Sequence, residues 1–312
     1  LLGLGLMSLS MVFRALSWHA ILRAALPGRR VRRRDALRGT SIGVLMSATL
    51  PARLGEPARA LVVARRLGRP REAFAAVVGT LVAQTMLNIV ALICLGAVML
   101  STVELFAGHH RALIAIAVLP LLVLVCVLGA PALLRSGLPA RSQRVARWVR
   151  QARNALTQVR AGLLVFRRPR LGAAATLAQF AAWGLQWLSC YVLLVALGLD
   201  HDAGLGAAAA VLFAVNVTAV LPATPSNLGV FQAACVAVLH GGYGVGTADA
   251  LGFGIVLQAV EIATAVMMGT PALLREGLTW KDVRMRVQHA APVRLPELPG
   301  TEDGAAAADD LA

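Results

Sequence analysis

The sequence predicts an all-α fold, a polytopic helical membrane protein with two re-entrant hairpins in an inverted-repeat arrangement. Of its 312 residues, 58% are hydrophobic and only 14% are charged, whereas about 25% charged residues is usual for a soluble domain. The net charge is nevertheless +15, so the charges must be segregated from long apolar segments. This composition excludes an ordinary soluble enzyme and also an intrinsically disordered chain, which requires low hydrophobicity.

Five apolar stretches are long enough to cross a hydrocarbon core of about 30 Å, which takes about 20 residues. They are residues 1–26, 72–100, 112–134, 171–199 and 248–274. Arginine-rich segments follow the first, third and last of these and precede the second. The positive-inside rule places such segments in the cytoplasm. We therefore expect a multi-pass protein of the plasma (inner) membrane, and we do not expect the basic residues to bind nucleic acid.

The expected domain organisation is a membrane domain, residues 1–275, followed by a cytoplasmic and largely disordered tail, residues 276–312. Within the membrane domain, residues 141–166 place apolar residues on one helical face and arginines on the rest, which predicts an amphipathic helix on the cytoplasmic surface. The chain begins inside an apolar stretch, so we expect further sequence upstream.

Two apolar segments, residues 39–50 and 206–221, are too short to span the membrane. Each is expected to form part of a re-entrant hairpin that enters and leaves on the same side. The two hairpins, residues 36–68 and 206–240, approach from opposite faces. Their predicted breaks read Pro51-Ala-Arg-Leu-Gly55 and Pro225-Ser-Asn-Leu-Gly229, the second preceded by Pro222. Paired breaks from opposite faces are typical of inverted repeats with a binding site at the membrane midplane. Two unrelated proline breaks are the alternative.

The first break carries the strongest candidate site, formed by Arg53, Glu56 and Arg59. Their i, i+3, i+6 spacing places them on one face of a helix. A charge in the membrane is normally paired or lines a polar cavity, and one carboxylate between two guanidiniums leaves an excess positive charge. Glu56 would then hold one arginine while the other binds a phosphate. A salt bridge that only closes the hairpin is the alternative.

Other polar residues lie within the predicted spans or at the second break. Gln84 and Asn88 are one helical turn apart and are expected mainly to form hydrogen bonds between helices. Glu261 is a functional candidate, either as a proton relay or as a counter-ion to Arg14. Neutral contacts to a headgroup are expected from Asn227 and Gln232, and Gln258 is expected to share a cavity with Glu261.

Three segments of this sequence resemble the membrane region of lysylphosphatidylglycerol synthases and the stand-alone flippase-like proteins related to it. They are RALSWHAILR (14–23), LPARLGEPARA (50–60) and LPATPSNLGVFQ (221–232). We expect no aminoacyl-transferase domain after residue 275, and the second break reads S-N-L-G where the family more often has glycines. The resemblance implies a flippase-like membrane protein rather than a lipid aminoacylating enzyme.

The charges predict a phosphate-bearing ligand, and the resemblance implies its translocation. We therefore expect the protein to bind and translocate an anionic phospholipid or a polyprenol-phosphate-linked lipid. The alternatives are a membrane-embedded transferase using Glu56 or Glu261 as acid or base, and a non-catalytic accessory subunit of a cell-envelope enzyme. The four cysteines stand apart in apolar segments, and no nucleophile–base pair or cofactor motif is present. We accordingly expect no metal, no cofactor and no catalytic residue.

Overall fold

The computed structural model describes residues 1–49, 55–67, 70–102, 164–219 and 227–276. These residues belong to one compact unit, Leu1–Gly277, while a second unit, Leu278–Ala312, lies outside the described residues. Across the described ranges the regular structure is entirely helical, which confirms the all-α prediction. It comprises α1 (Leu2–Ala25), α2 (Arg33–Thr49), α3 (Gly55–Arg66), α4 (Pro70–Thr102), a 3-10 helix (Leu164–Arg167), α5 (Pro169–Ala196), α6 (Leu205–Thr218), α7 (Val230–Tyr243) and α8 (Thr247–Arg275).

Four of these helices are long and apolar enough to cross a membrane: α1, the Ala76–Ala97 part of α4, α5 and α8. They overlap four of the five predicted spans. Helices suit this environment because each satisfies its own backbone hydrogen bonds where no water is present. The predicted span 112–134, all but the last residues of the predicted amphipathic helix 141–166, and the predicted tail beyond Glu276 lie outside the described residues.

Helices α1 and α5 pack antiparallel along their lengths. At one end the Ser189 hydroxyl donates a hydrogen bond of 2.8 Å to the carbonyl oxygen of Gly3. A side chain at Gly3 would meet Leu193 at 3.1 Å, so the glycine is what lets the helices approach there. At the other end the start of α5 and the end of α1 line one cavity. Small residues at such crossings are typical of helix packing in membranes, where dispersion contacts replace the hydrophobic effect.

Two pairs of shorter helices pack between the long ones: α2 with α3, and α6 with α7. In the first pair, Gly39 and Gly43 lie one turn apart on the face of α2 that meets α3. A β-carbon on Gly43 would lie 3.0 Å from both the Gly55 carbonyl oxygen and the β-carbon of Arg59. In the second pair, the alanines at 207–210 of α6 are fully buried. Both pairs therefore depend on small residues for close backbone approach.

The two helix pairs open toward opposite ends of the bundle. Arg29, before α2, donates a hydrogen bond of 2.7 Å to the carbonyl oxygen of Leu67, after α3. Glu276, at the end of α8, accepts hydrogen bonds from Arg38 of α2 and Arg66 of α3. We call this the arginine-rich end.

The pair α6–α7 instead connects the far end of α5 to the start of α8. Near that far end, the Trp187 indole N–H donates to the carbonyl oxygen of Leu205 at 2.9 Å. The chain thus enters and leaves the pair α2–α3 at the arginine-rich end, and it enters and leaves the pair α6–α7 at the opposite end. Re-entry into a membrane and inverted-repeat symmetry stay predictions.

Helix α8 crosses α2 at Gly269, and this contact yields a test of the packing. A β-carbon there would lie 2.5 Å from the Leu45 β-carbon and 2.8 Å from the Ser41 carbonyl oxygen. Gly269→Ala is therefore expected to lower the free energy of unfolding by about 1–3 kcal/mol, the usual cost of overpacking. The measurement is thermal unfolding of the detergent-solubilised protein.

Gly252 on the same helix is the matched control, because a β-carbon there meets nothing within 4 Å. Gly252→Ala should leave the melting temperature unchanged or raise it, since alanine is the better helix former. Equal melting temperatures for the two variants would contradict the α2–α8 crossing.

Candidate functional site

Polar side chains from five helices collect near the middle of the bundle. Arg14, Gln84 and Glu261 lie close to the midpoints of α1, of the apolar part of α4, and of α8, and Gln179 lies near the middle of α5. Arg59 joins them from α3 by a hydrogen bond to Gln84. Polar groups at this depth are costly in a membrane and tend to mark a ligand pathway.

Arg59 is the most enclosed charge of this group, with a side-chain exposure of 7%. Its guanidinium stacks on the Trp18 ring, 3.8 Å from the ring centroid, and one terminal nitrogen donates to the Gln84 side-chain oxygen at 2.5 Å. Trp18 is fully buried, and its indole N–H is fixed by a 3.0 Å hydrogen bond to Thr80. The guanidinium plane is therefore fixed by an aromatic face and by an amide.

The ion pair between Glu56 and Arg59 is weaker than their spacing in the sequence suggests. Its carboxylate lies 3.8 Å from an Arg59 terminal nitrogen, and its side chain is 61% exposed. An ion pair of that length and exposure holds its partners weakly. Trp18 and Gln84, which the sequence analysis did not connect to Arg59, are what position the guanidinium.

An amide network continues from Arg59 across the bundle. The Gln84 side-chain nitrogen donates to the Arg14 carbonyl oxygen at 3.0 Å and to Gln179 at 3.4 Å. The Gln179 nitrogen donates to the Asn88 side-chain oxygen, which also accepts from the Trp183 indole at 3.2 Å. Gln84 and Asn88 thus form the interhelical hydrogen bonds that their spacing favours, and in addition they connect to the charged residue.

Arg14 and Glu261 form the second charged element. Arg14 interacts electrostatically with Glu261 and, less strongly, with Glu56. Arg14 and Arg59 repel each other, because the two guanidiniums are close. The Nε donors of Arg14 and Arg59 are both buried, and neither makes a hydrogen bond to any described residue. Each of these two arginines therefore has one buried Nε donor that no described residue accepts.

The second predicted break has its own contacts, separate from the arginines. The Gly229 amide donates to the Gln232 side-chain oxygen at 2.7 Å, and the Gln232 nitrogen donates to the Gln258 oxygen at 2.5 Å. Gly229 and Asn227 both have positive φ, 85° and 54°. That conformation suits glycine and is tolerated by asparagine, so this sequence tightens the turn into α7. Gln232 thus donates a hydrogen bond to Gln258 of the adjacent helix.

Four residues of the predicted site lie outside the described residues: Pro51, Arg53, Pro222 and Pro225. Gly55 is described, and it packs against Gly43 and Ser47 of α2 so tightly that any side chain there would clash. The sequence reasoning missed Trp18, Gln179 and Trp183. Trp18 lies four residues after Arg14, one turn along the same helix, and that spacing was the available signal.

Among the described residues, the polar centre contains hydrogen-bond donors rather than metal ligands. It offers guanidinium and amide donors, and the described residues contain no group of three or more His, Cys, Asp or Glu side chains that could hold a metal ion. The three cysteines that the structure describes, Cys94, Cys190 and Cys235, are unpaired. Guanidinium donors that face an enclosed polar centre are suited to a phosphate or carboxylate oxygen.

A family model described as the lysylphosphatidylglycerol synthase TM region matches residues 1–269. The chain belongs to this family. The match includes Arg14, Arg59, the amide network and Glu261, so the polar centre lies within the family region. The protein is accordingly a multi-pass membrane protein of the lysylphosphatidylglycerol synthase TM region family. No curated protein and no solved structure matches the chain.

Gln84 is the residue on which the polar centre of this family member depends most, since it contacts Arg59, Arg14 and Gln179. Gln84→Leu is expected to lower the free energy of unfolding by about 1–3 kcal/mol, because buried partners lose their hydrogen bonds. Chemical unfolding in mixed micelles measures this.

Thr85→Val is the matched control, because Thr85 is exposed and bonds only to the Leu81 carbonyl of its own helix. It should change the unfolding free energy far less. An equal loss in both variants would show that the amide network contributes no specific stabilisation.

Proposed function

We propose that the protein binds the phosphate of an anionic phospholipid, or of a polyprenol-phosphate-linked lipid, and carries that headgroup between membrane leaflets. The observation that carries the proposal is the pair of guanidiniums, Arg14 and Arg59, at the middle of a membrane bundle, each with a buried Nε donor that no described residue accepts. Membership of the lysylphosphatidylglycerol synthase TM region family supports a lipid as the ligand.

The charge balance supports an anionic ligand. Arg14 and Arg59 repel each other, Glu56 is mostly exposed, and Glu261 is the carboxylate that interacts most with Arg14. A phosphate between the guanidiniums would offset their repulsion and accept from their free donors. Glu261 would compensate Arg14 when the site holds no lipid. This alternation between two anionic partners would let the headgroup leave as well as bind.

An apolar groove beside the second break supports a lipid chain as part of the ligand. It has a volume of about 620 Å³ and runs between α7 and α8, where Leu251 and Ile255 are exposed. Gly229 and Gln232 also line it. A groove that is apolar along its length and polar at one end matches a lipid chain and its headgroup linkage. Asn227 and Gln232 would supply the neutral contacts there.

The protein is oriented with one end of its helix bundle on each side of the membrane. With the arginine-rich end in the cytoplasm of the inner membrane, the positive-inside rule is satisfied. The pair α2–α3 would then enter from the cytoplasmic face and α6–α7 from the outer face, as inverted re-entrant hairpins. Arg53 would lie at the tip of the first hairpin, where it would add a third guanidinium to the site. Such opposed hairpins are typical of sites near the membrane midplane.

Reconstitution into liposomes tests the function directly. The full chain is placed in phosphatidylcholine vesicles with a trace of fluorescent phosphatidylglycerol, and a membrane-impermeant quencher reports the outer-leaflet fraction over time. We expect quenching to proceed well beyond half of the label, and the recovered lipid to keep its mass. A matched trace of fluorescent phosphatidylcholine controls for leak and for headgroup selectivity.

A change in lipid mass would favour the transferase alternative. Quenching that stops at half for every lipid, including a polyprenyl phosphate, would contradict translocation. Retention of one phospholipid species on native mass spectrometry would then separate a binding protein from an inert scaffold.

A further inference from the structure

A large basic cavity lies at the arginine-rich end, away from the polar centre. Its volume is about 890 Å³, and it forms where the end of α1, the connection to α2 and the starts of α2 and α5 meet. His19, Leu26 and Leu171 contribute to its walls, and no Asp or Glu does. Seven arginines line it: Arg23, Arg29, Arg30, Arg32, Arg33, Arg34 and Arg168.

The arginines of this cavity differ from those beside it. Arg38 and Arg66 share the carboxylate of Glu276, at 3.2 and 2.8 Å. Arg29 donates to the Leu67 carbonyl oxygen. The other six cavity arginines make no side-chain hydrogen bond or ion pair with any residue that the structure describes. Asp35, in the first turn of α2, is the carboxylate closest to most of them along the chain, but it does not line the cavity and forms no ion pair with these six arginines among the described residues.

Helix stability does not account for these arginines. α2 begins at Arg33, and α5 begins at Pro169 with Arg168 as its N-cap residue and no side-chain cap. The N-terminus of a helix is its positive end, where added cations are unfavourable and anions are favourable. Arg32 and Arg33 oppose the dipole of α2, which Asp35 of its first turn offsets in part, and Arg168 opposes the dipole of α5, whose first turn has no acidic residue. An anion in the cavity would be favoured by both dipoles and by the guanidiniums.

The position of the cavity indicates how deep in the membrane its ligand would bind. It borders the C-terminal end of α1 and the N-terminal end of α5, two helices long enough to span a membrane. That places it at headgroup level when α1 and α5 cross the bilayer. Arg23 is nine residues from Arg14 along α1, about 13 Å at the helical rise. The cavity is therefore a second site, outside the polar centre.

We propose that this cavity binds a phosphate polyanion with at least two negative charges, such as a diphosphate. A phosphodiester with one charge would leave most of the cavity arginines uncompensated, whereas a diphosphate offers several oxygens to planar guanidinium donors. The same chemistry occurs in the headgroup of a polyprenyl diphosphate and in soluble pyrophosphate. Binding at this cavity does not require the translocation proposed above.

The test measures binding to the full chain in phosphatidylcholine nanodiscs. Inorganic pyrophosphate is titrated by calorimetry, and a polyprenyl diphosphate is incorporated at low mole fraction and detected by native mass spectrometry. We expect saturable binding of at least one probe. Binding of the lipid alone would identify a lipid headgroup site, and binding of both would identify a site that accepts the soluble anion as well.

Two double variants, each removing two positive charges, distinguish binding in the cavity from binding to positive surface charge in general. Arg32→Gln with Arg168→Gln alters cavity residues, while Arg167→Gln with Arg170→Gln alters arginines that are likewise exposed but do not line the cavity. The first double variant is expected to raise the Kd for pyrophosphate about tenfold or more, because charge-assisted hydrogen bonds are lost. The second should raise it less than about twofold.

Absence of saturable binding of either probe overturns the proposal, and so does an equal loss in both double variants. Arg59→Gln should leave Kd for pyrophosphate unchanged. A failure of translocation with intact pyrophosphate binding would therefore contradict the proposed function alone.

Discussion

Replacing Arg59 with glutamine is expected to slow lipid translocation about ten- to hundredfold, which corresponds to the loss of one or two charge-assisted hydrogen bonds. The buried guanidinium would no longer stack on Trp18 or present a charge to the headgroup, while glutamine would still fill part of the space beside Gln84. The measurement is the quenching rate of fluorescent phosphatidylglycerol in liposomes, at equal protein density.

Two further variants separate the charge of Arg59 from its shape and from its helix. Arg59→Lys keeps the charge but lacks the planar donors, so it should give an intermediate rate. Arg65→Gln removes an exposed charge from the same helix and should give the wild-type rate. A folded Arg59→Gln protein that transports at the wild-type rate would show that the headgroup does not use this residue.

The second large effect is expected for Glu261. Glu261→Gln keeps the shape of the side chain but removes the carboxylate that interacts with Arg14. It should lower the free energy of unfolding by about 1–2 kcal/mol, the size of a Coulomb attraction between charges several ångström apart at an effective dielectric constant of about 20. Chemical unfolding in mixed micelles measures this loss.

A double variant identifies the cause. Adding Arg14→Gln to Glu261→Gln removes the uncompensated charge, so most of the lost stability should return. Asp249→Asn is the control, since it removes an exposed carboxylate from the first turn of the same helix and should cost less than about 1 kcal/mol. If the double variant were less stable than Glu261→Gln alone, Arg14 and Glu261 would not be partners.

The residues of the polar centre were largely visible in the sequence, but their partners were not. Arg14, Arg59, Gln84 and Glu261 stand out because polar groups in apolar segments are costly. Glu56 was the expected partner of Arg59 because the two are neighbours along the chain. The structure keeps that ion pair at 3.8 Å and adds a ring from α1 and an amide from α4, 41 and 25 residues away. Helix rotation brings those groups together, and local spacing carries no information about it.

The second break shows the same limit. The sequence indicated Gly229 as a turn residue, and its positive φ agrees with that. The sequence placed Gln258 and Glu261 beside one cavity because they lie three residues apart on one helix, and that placement stays a prediction. The structure adds a partner that the sequence did not indicate, Gln232 of α7. A glutamine side chain reaches across to the adjacent helix, so the packing of α7 against α8 decides its partner.

The sequence by itself determined that the chain is helical and membrane-embedded, and it identified which segments are apolar enough to span. The free energy of transferring a segment into the membrane is a sum over its own residues, so it can be calculated without knowing which segments pack beside it. Only the tertiary structure decided which polar groups meet and that seven arginines share one cavity. Those features depend on the rotation and close approach of helices at glycines such as Gly43 and Gly269. They arise from contacts between distant parts of the chain, which hydropathy does not encode.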